Sequence, residues 1–227
     1  MLERVITALI GSDAFSSISV SSDDPDLLRA TPMLSALSGA GRLLFHRSGS
    51  SPATSVADFF ENREGNAAVF VTTGDHPLLT AEIVGYFIDR ASVSSADFLV
   101  GLVPATVYRE RFPDQPRTFI PLRGEKYSGA NLFYLRTSRA SSVARFWTRA
   151  EAHRKKPWKL VSVFGAATLV QFLLGRLDLA AALARASAII GASVEAIQLP
   201  FAEAALDVDK EADRLAVEEV FASRGEG

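Results

Sequence analysis

An α/β fold is what this sequence predicts: a three-layer sandwich around a mostly parallel twisted sheet. Helix-spaced and strand-like segments alternate along the chain, the pattern of right-handed crossovers onto a parallel sheet. Two strand-length runs, 67–72 and 97–103, are almost wholly apolar, as strands covered on both faces are. The composition is that of an ordinary globular domain. Of 227 residues, 48% are hydrophobic and 22% charged, enough for a real core.

The elements follow in order. Leu2, Val5, Ile6 and Leu9 lie at helical spacing, so residues 2–10 are predicted as an amphipathic helix. Residues 15–20 and 42–45 read as short strands, and 67–72 as the first buried strand. Thr80 is a natural N-cap for a helix over 80–90. The second buried strand spans 97–103 and a third spans 131–136. Helices are expected over 138–155, 158–175 and 178–190, then strands over 194–199 and 204–208. Asp209 opens a charged final helix to about residue 223. Segment 47–54 is a loop rich in Gly, Ser and Pro, and 109–129 is a basic irregular region holding Arg109, Arg111, Arg117, Arg123 and Lys126. Neither resembles a linker and no repeat is visible, so residues 1–227 are expected to form one domain.

Composition narrows the function. The net charge of −2 implies no basic surface, so nucleic acid is not an expected partner. Cysteine is absent, which excludes disulfides, thiolate zinc sites and thiol catalysis. His46, His76 and His153 are far apart in sequence, which argues against a histidine metal site. The opening Met1-Leu-Glu-Arg-Val lacks the cationic start and apolar core of a signal peptide. The longest apolar stretch, 160–175, is interrupted by Ser162, Thr168 and Gln171 and falls short of the roughly 20 residues that span a bilayer. It is expected to be a buried helix, with no membrane contact and the cytoplasm as location.

Four segments carry groups suited to chemistry. In Val71-Thr-Thr-Gly74-Asp75-His76-Pro77 an aspartate stands just beyond a buried strand. Carboxyl ends of strands form the ligand crevice of open α/β sheets, and an aspartate there can hold a hard cation. Alternatively, Asp75 only stabilises the turn before Pro77. His76 is expected to be an exposed turn residue. In Leu206-Asp207-Val208-Asp209, residues two apart on a strand face the same way, and two such carboxylates call for a cation. Asp209 is also a natural N-cap for the last helix, with Asp213 in its first turn. The loop 48–57 offers backbone amides to an anion, or is simply a helix start capped by Thr54 or Ser55. Residues 123–133 bring Lys126, Ser128 and Asn131 together before a strand, a setting for a phosphorylated ligand or a plain solvated loop.

In this order the segments resemble the nucleotidyltransferase superfamily with the Rossmann-like glycosyltransferase A-type fold, and within it the molybdenum cofactor guanylyltransferase-like NTP transferase domains. The matching residues are Ser-Pro-Ala-Thr-Ser-Val at 51–56, Thr-Thr-Gly-Asp-His-Pro-Leu-Leu at 72–79, Gly-Ala-Asn-Leu-Phe at 129–133 and Leu-Asp-Val-Asp-Lys-Glu-Ala-Asp at 206–213. The resemblance implies transfer of a nucleoside monophosphate from a nucleoside triphosphate to a phosphorylated small-molecule acceptor, with release of pyrophosphate. It implies Mg2+ held by Asp75 and by Asp207 or Asp209, with Asp75 the catalytic residue. Ser55 and Gly74 would lie beside the nucleotide, and Lys126, Ser128 and Asn131 beside the acceptor.

The family also opens with a strand and a glycine-rich loop, roughly Leu-Ala-Gly-Gly-x-Gly-x-Arg, that grips the triphosphate. Met1-Leu-Glu-Arg-Val-Ile-Thr-Ala-Leu resembles the helix after that loop. The expectation is therefore an N-terminally truncated domain lacking its first βα unit, with weak triphosphate binding, reduced activity and a sheet edge prone to self-association. A non-catalytic nucleotide or sugar-nucleotide binding paralogue is the alternative. A glycosyltransferase of the same fold would share Asp-x-Asp but not the Gly-Asp-His-Pro-Leu context.

Overall fold

The computed structural model describes residues 1–63, 65–151 and 165–225. The expected helix over 138–155 is α7 (Ala140–Glu151), and that over 158–175 is α8 (Ala166–Leu173); residues 152–164 lie outside the described ones. Helix α1 (Leu2–Gly11) buries Val5, Ile6, Ala8 and Leu9 along one stripe. Strands β1 (Ile18–Ser22) and β2 (Leu43–Arg47) pair in parallel. Two short helices lie between them, α2 (Pro25–Arg29) and α3 (Pro32–Gly39), each with proline in its first turn.

Ser51, not Thr54 or Ser55, caps α4 (Pro52–Asn62). Its hydroxyl accepts from Thr54 N, while Thr54 Oγ1 accepts from Ser51 N at 2.8 Å. Strand β3 (Val69–Val71) is followed by α5 (Ala81–Val93), whose N-cap Thr80 accepts from Ile83 N at 3.3 Å. The basic region expected to be irregular holds α6 (Ala105–Arg111), the short β5 (Ile120–Pro121) and the first half of β6 (Lys126–Leu135). Strand β4 (Phe98–Pro104) precedes α6, and α9 (Leu179–Ile190), β7 (Val194–Gln198) and α10 (Glu211–Arg224) complete the chain.

The main sheet has the order β3-β6-β4-β7, with β5 beside β6. β4 and β7 are parallel, and β6 runs antiparallel to both β3 and β4. Thus β3, β4 and β7 point one way, and the mostly parallel sheet is a mixed one because β6 is inserted at its centre. Side chains alternate faces. Leu99, Val103, Leu132 and Ile197 pack against α1, α5 and α10 on one side. Phe98, Val100, Phe133 and Val194 face Phe60 of α4, Ala140 and Val143 of α7 and Ile190 of α9 on the other. This is the three-layer sandwich. Strands β1 and β2 form a separate sheet over Ile6, Leu34 and Leu43. The two parts meet where Phe15 stacks on Phe70, ring centres 5.2 Å apart.

Two expectations are corrected. Residues 204–208 are not a strand: a 3-10 turn spans Ala202–Ala205, and the backbone N–H groups of Leu206 and Val208 bond to Glu203 O and Asp75 O rather than to a neighbouring strand. Helix α8 is not a buried helix, since Val170, Leu173 and Leu174 are 52%, 67% and 61% exposed. Among the described residues no helix is long and apolar enough to cross a membrane.

Candidate active site

The carboxyl ends of β3, β4 and β7 lie at one edge of the sheet, and the candidate site is built there. Asp75 follows β3 by four residues. The 206–209 segment follows β7 and the 3-10 turn. Two bonds pin these loops together: Val208 N donates to Asp75 O at 3.0 Å, and His76 Nε2 lies 3.1 Å from Glu203 O. As a result Asp75, Asp207 and Asp209 each present a carboxylate oxygen, all within 4.8 Å of one another. Asp207 and Asp209, expected on one face of a strand, do not lie on one. They converge instead in an extended stretch after the 3-10 turn, because the backbone bond to Asp75 holds Val208 between them.

Helix α10 does not begin at Asp209. Its N-cap is Lys210, and Asp213 reaches back to accept from the backbone N–H groups of Asp209 and Lys210, at 3.1 and 3.0 Å. The Asp209 carboxylate is thereby left to the cluster. His76 is not an exposed turn residue; it is 1% exposed. Burial lowers its pKa, opposed by the Glu203 carbonyl and by the charges of Asp207 and Asp75, so the ring is neutral.

Asp207 is the best-supported member of the cluster. Arg117 Nη1 forms an ion pair with its Oδ1, and Asn131 Nδ2 donates to its Oδ2 at 3.3 Å. Burial alone would raise the Asp207 carboxyl, but the charge and hydrogen bond of Arg117, a backbone bond and Asn131 outweigh it, so the pKa is lowered. Arg117 is itself anchored by Nε donating to Ser128 Oγ at 2.9 Å and Nη2 donating to Gly129 O at 3.3 Å. Asn131 reaches Asp207 from an irregular point in β6. The β4–β6 register shifts between Val100 and Leu102, and Asn131 sits there with φ of +52°. Such a break in a ladder re-aims one side chain.

Asp75 Oδ1 is buried and has no hydrogen-bond partner, and the same holds for the hydroxyls of Thr72, Thr73 and Tyr108 and for His76 Nδ1. An unpaired buried carboxylate oxygen is costly. A cation shared with Asp207 and Asp209 would satisfy it, and an all-oxygen donor set suits Mg2+ rather than a softer metal. The residues therefore fit the ion that the resemblance implies.

The other sequence-predicted residues are distributed unevenly. Ser128 and Asn131 join the cluster through Arg117 and Asp207. Gly74 lies exposed in the turn beside Asp75, where a Cβ would come within 3.2 Å of Leu2 Cδ1. Ser55 closes its own loop: its Oγ accepts from Gly49 N at 2.9 Å and donates to Ser51 O at 3.0 Å. Lys126 lines a separate open hollow of about 330 Å³ with Thr106, Arg109, Gly124 and Glu125. Arg117 is the functional residue that its local sequence does not single out. Its only local signal was membership of a basic loop, and its partners are 11 and 90 residues away.

The sequence profile of the MobA-like NTP transferase domain family matches residues 1–188. No curated protein is similar enough to count as a match. Among solved structures, a hypothetical transferase from Thermus thermophilus is 32% identical with a TM-score of 0.73, over 94% of this chain and 85% of that one. A 4-diphosphocytidyl-2C-methyl-D-erythritol synthase from Anaerococcus prevotii shares the fold at 8% identity and a TM-score of 0.59, over 97% and 88% of the two chains. So does a CMP:2-keto-3-deoxy-manno-octonic acid synthetase complexed with CTP, at 13% identity and 0.57, over 98% and 88%. A match over most of the chain, joined to an acidic cluster at the strand ends, settles the family: this chain belongs to the MobA-like NTP transferase domains.

Proposed function

We propose that the chain transfers a nucleoside monophosphate from a nucleoside triphosphate to a phosphorylated small molecule, with Mg2+ held by Asp75, Asp207 and Asp209. In the reaction an acceptor phosphate oxygen bonds to the α-phosphorus. The bond from that phosphorus to the oxygen bridging to the β-phosphate breaks, and pyrophosphate leaves with the electron pair. Such transfer needs positioning and charge neutralisation rather than a nucleophilic side chain. The cation supplies charge neutralisation at the phosphates. The observation that carries the proposal is that Asp75, which has a buried and unpartnered oxygen, stands in one cluster with two further carboxylates.

The chain's own groups divide the work. Arg117 and Asn131 hold Asp207 in place, and the neutral, buried His76 ties the Asp75 turn to the Glu203 carbonyl. The 48–55 loop supplies few donors to a triphosphate, because the groups of Gly49, Ser51, Thr54 and Ser55 are bonded to one another.

The test is Mg2+-dependent pyrophosphate release from GTP or CTP with phosphorylated acceptors, in wild type and Asp75→Asn. The substitution should abolish release and leave the melting temperature nearly unchanged. Retained turnover would refute the assignment, and a large loss of stability would make Asp75 a turn residue. Nucleotide binding by wild type without turnover on any acceptor would favour the non-catalytic paralogue.

A further inference from the structure

We propose that Arg117 is a built-in counter-ion that stands at Asp207 in place of the metal and competes with a divalent cation for that carboxylate. The inference rests on the reading that Asp75, Asp207 and Asp209 hold a cation. It goes beyond that reading by assigning a residue that sets how tightly the cation is held.

The geometry is specific. Both Asp207 oxygens are already engaged, one by the Arg117 guanidinium and the other by the Asn131 amide. Arg117 and Asp207 are largely buried, with side chains 19% and 17% exposed, so their attraction is only partly screened by water. The guanidinium is held on its far side by Ser128 Oγ, which is 3% exposed, and by the Gly129 carbonyl. It is therefore an oriented cation rather than a surface arginine in passing contact. Three carboxylates and one guanidinium leave two negative charges, which a single divalent cation balances. Without Arg117 the cluster would carry three negative charges, and its self-repulsion would have no internal relief. The cost of this arrangement falls on the metal, which must approach a fixed positive charge and share an oxygen with it.

The role makes a prediction opposite in sign to that of ordinary structural damage. Losing a stabilising contact should weaken a metal site. Losing a competing charge should strengthen it. A charge within a few ångströms moves the binding of a small cation such as the proton by about tenfold or more. Mn2+ alone is a suitable probe, since binding is read by electron paramagnetic resonance without any substrate. Wild type should bind one Mn2+, and Arg117→Gln should bind it about tenfold tighter. Arg117→Lys retains the charge and should stay within about threefold of wild type. Asn131→Ala removes the other Asp207 contact without changing charge and should leave binding unchanged or weaker.

The proposal is overturned if Arg117→Gln binds Mn2+ no more tightly than wild type, or if the Asn131 variant tightens as much. If Arg117→Gln does not fold, the lysine variant decides: a loss of affinity well beyond threefold would make Arg117 a packing residue. Failure of wild type to bind Mn2+ at all would remove the cation site itself, and the proposal with it. That outcome is distinct from wild-type binding that Arg117→Gln fails to strengthen.

Discussion

Outside the site, the Asp97 carboxylate accepts three hydrogen bonds. Thr137 Oγ1 donates to one oxygen, and Ser193 donates to the other through its backbone N–H at 2.9 Å and its hydroxyl at 2.8 Å. These bonds join the start of β4 to the starts of β7 and of the segment before α7. The Thr137 bond, with Ser193 and the Arg139 charge, outweighs the opposing effect of burial and lowers the Asp97 pKa. The sign follows: a lowered folded pKa stabilises the protein above the ordinary aspartate value of about 3.9, and this is lost as pH falls through the folded value. Asp97→Asn should cost about 1–3 kcal/mol in urea unfolding at pH 7. The gap between wild type and variant should close as pH drops below about 4; a gap that stays constant with pH would contradict the assignment. At this scale the acidic members of the candidate site were legible. Asp75 announces itself by following an apolar strand, and Asp207 and Asp209 by their spacing. Arg117 and the burial of His76 were not, because each depends on a partner remote in sequence: Asp207 for one, the Glu203 carbonyl for the other.

Among the elements, β6 and β4 explain how a strand can aim Asn131 at a carboxylate. A Cβ built on Gly101 of β4 would stand 3.1 Å from Leu132 Cβ, 3.3 Å from Ala130 Cβ and 3.2 Å from Leu199 Cδ1. Two of these atoms flank Asn131 and cannot swing aside, so the glycine is what lets the irregular part of β6 lie against β4. Gly101→Val should therefore overpack the sheet and destabilise by about 1–3 kcal/mol, measured by denaturant midpoint. A neutral effect would show that the β6 irregularity is soft. The cap of α5 was legible at Thr80, whereas α4 is capped by Ser51 rather than Thr54 or Ser55, and α10 starts from Lys210 rather than Asp209. The 3-10 turn at Ala202–Ala205 was not legible, since the four residues Ala-Glu-Ala-Ala are too short a run for a period to distinguish them from a strand. The first half of β6 resembles a loop for the opposite reason: its Lys, Ser, Gly and Asn composition is turn-like, and pairing with β4 and β5 overrides it.

Taken whole, the molecule gathers Asp75, Asp207 and Asp209 beyond the ends of three co-directed strands, and the alternation of apolar strands and helices was enough to foresee the layered α/β architecture. The pairing order was not foreseeable from local pattern, because the central antiparallel position of β6 depends on contacts with β3 and β4 that are distant in sequence. The separation of β1–β2 from the main sheet is equally non-local, because the two strands pack over their own cluster of Ile6, Leu34 and Leu43. The central claim is that these elements converge to hold one divalent cation between Asp75, Asp207 and Asp209. Its most direct test is a crystal grown with Mn2+ and examined at the manganese absorption edge. A single anomalous peak is expected, bonded to carboxylate oxygens of Asp75, Asp207 and Asp209 at a distance of about 2.0–2.6 Å typical of hard cations. A cluster with no peak, or a peak held by other residues while these three carboxylates remain unliganded, would contradict it.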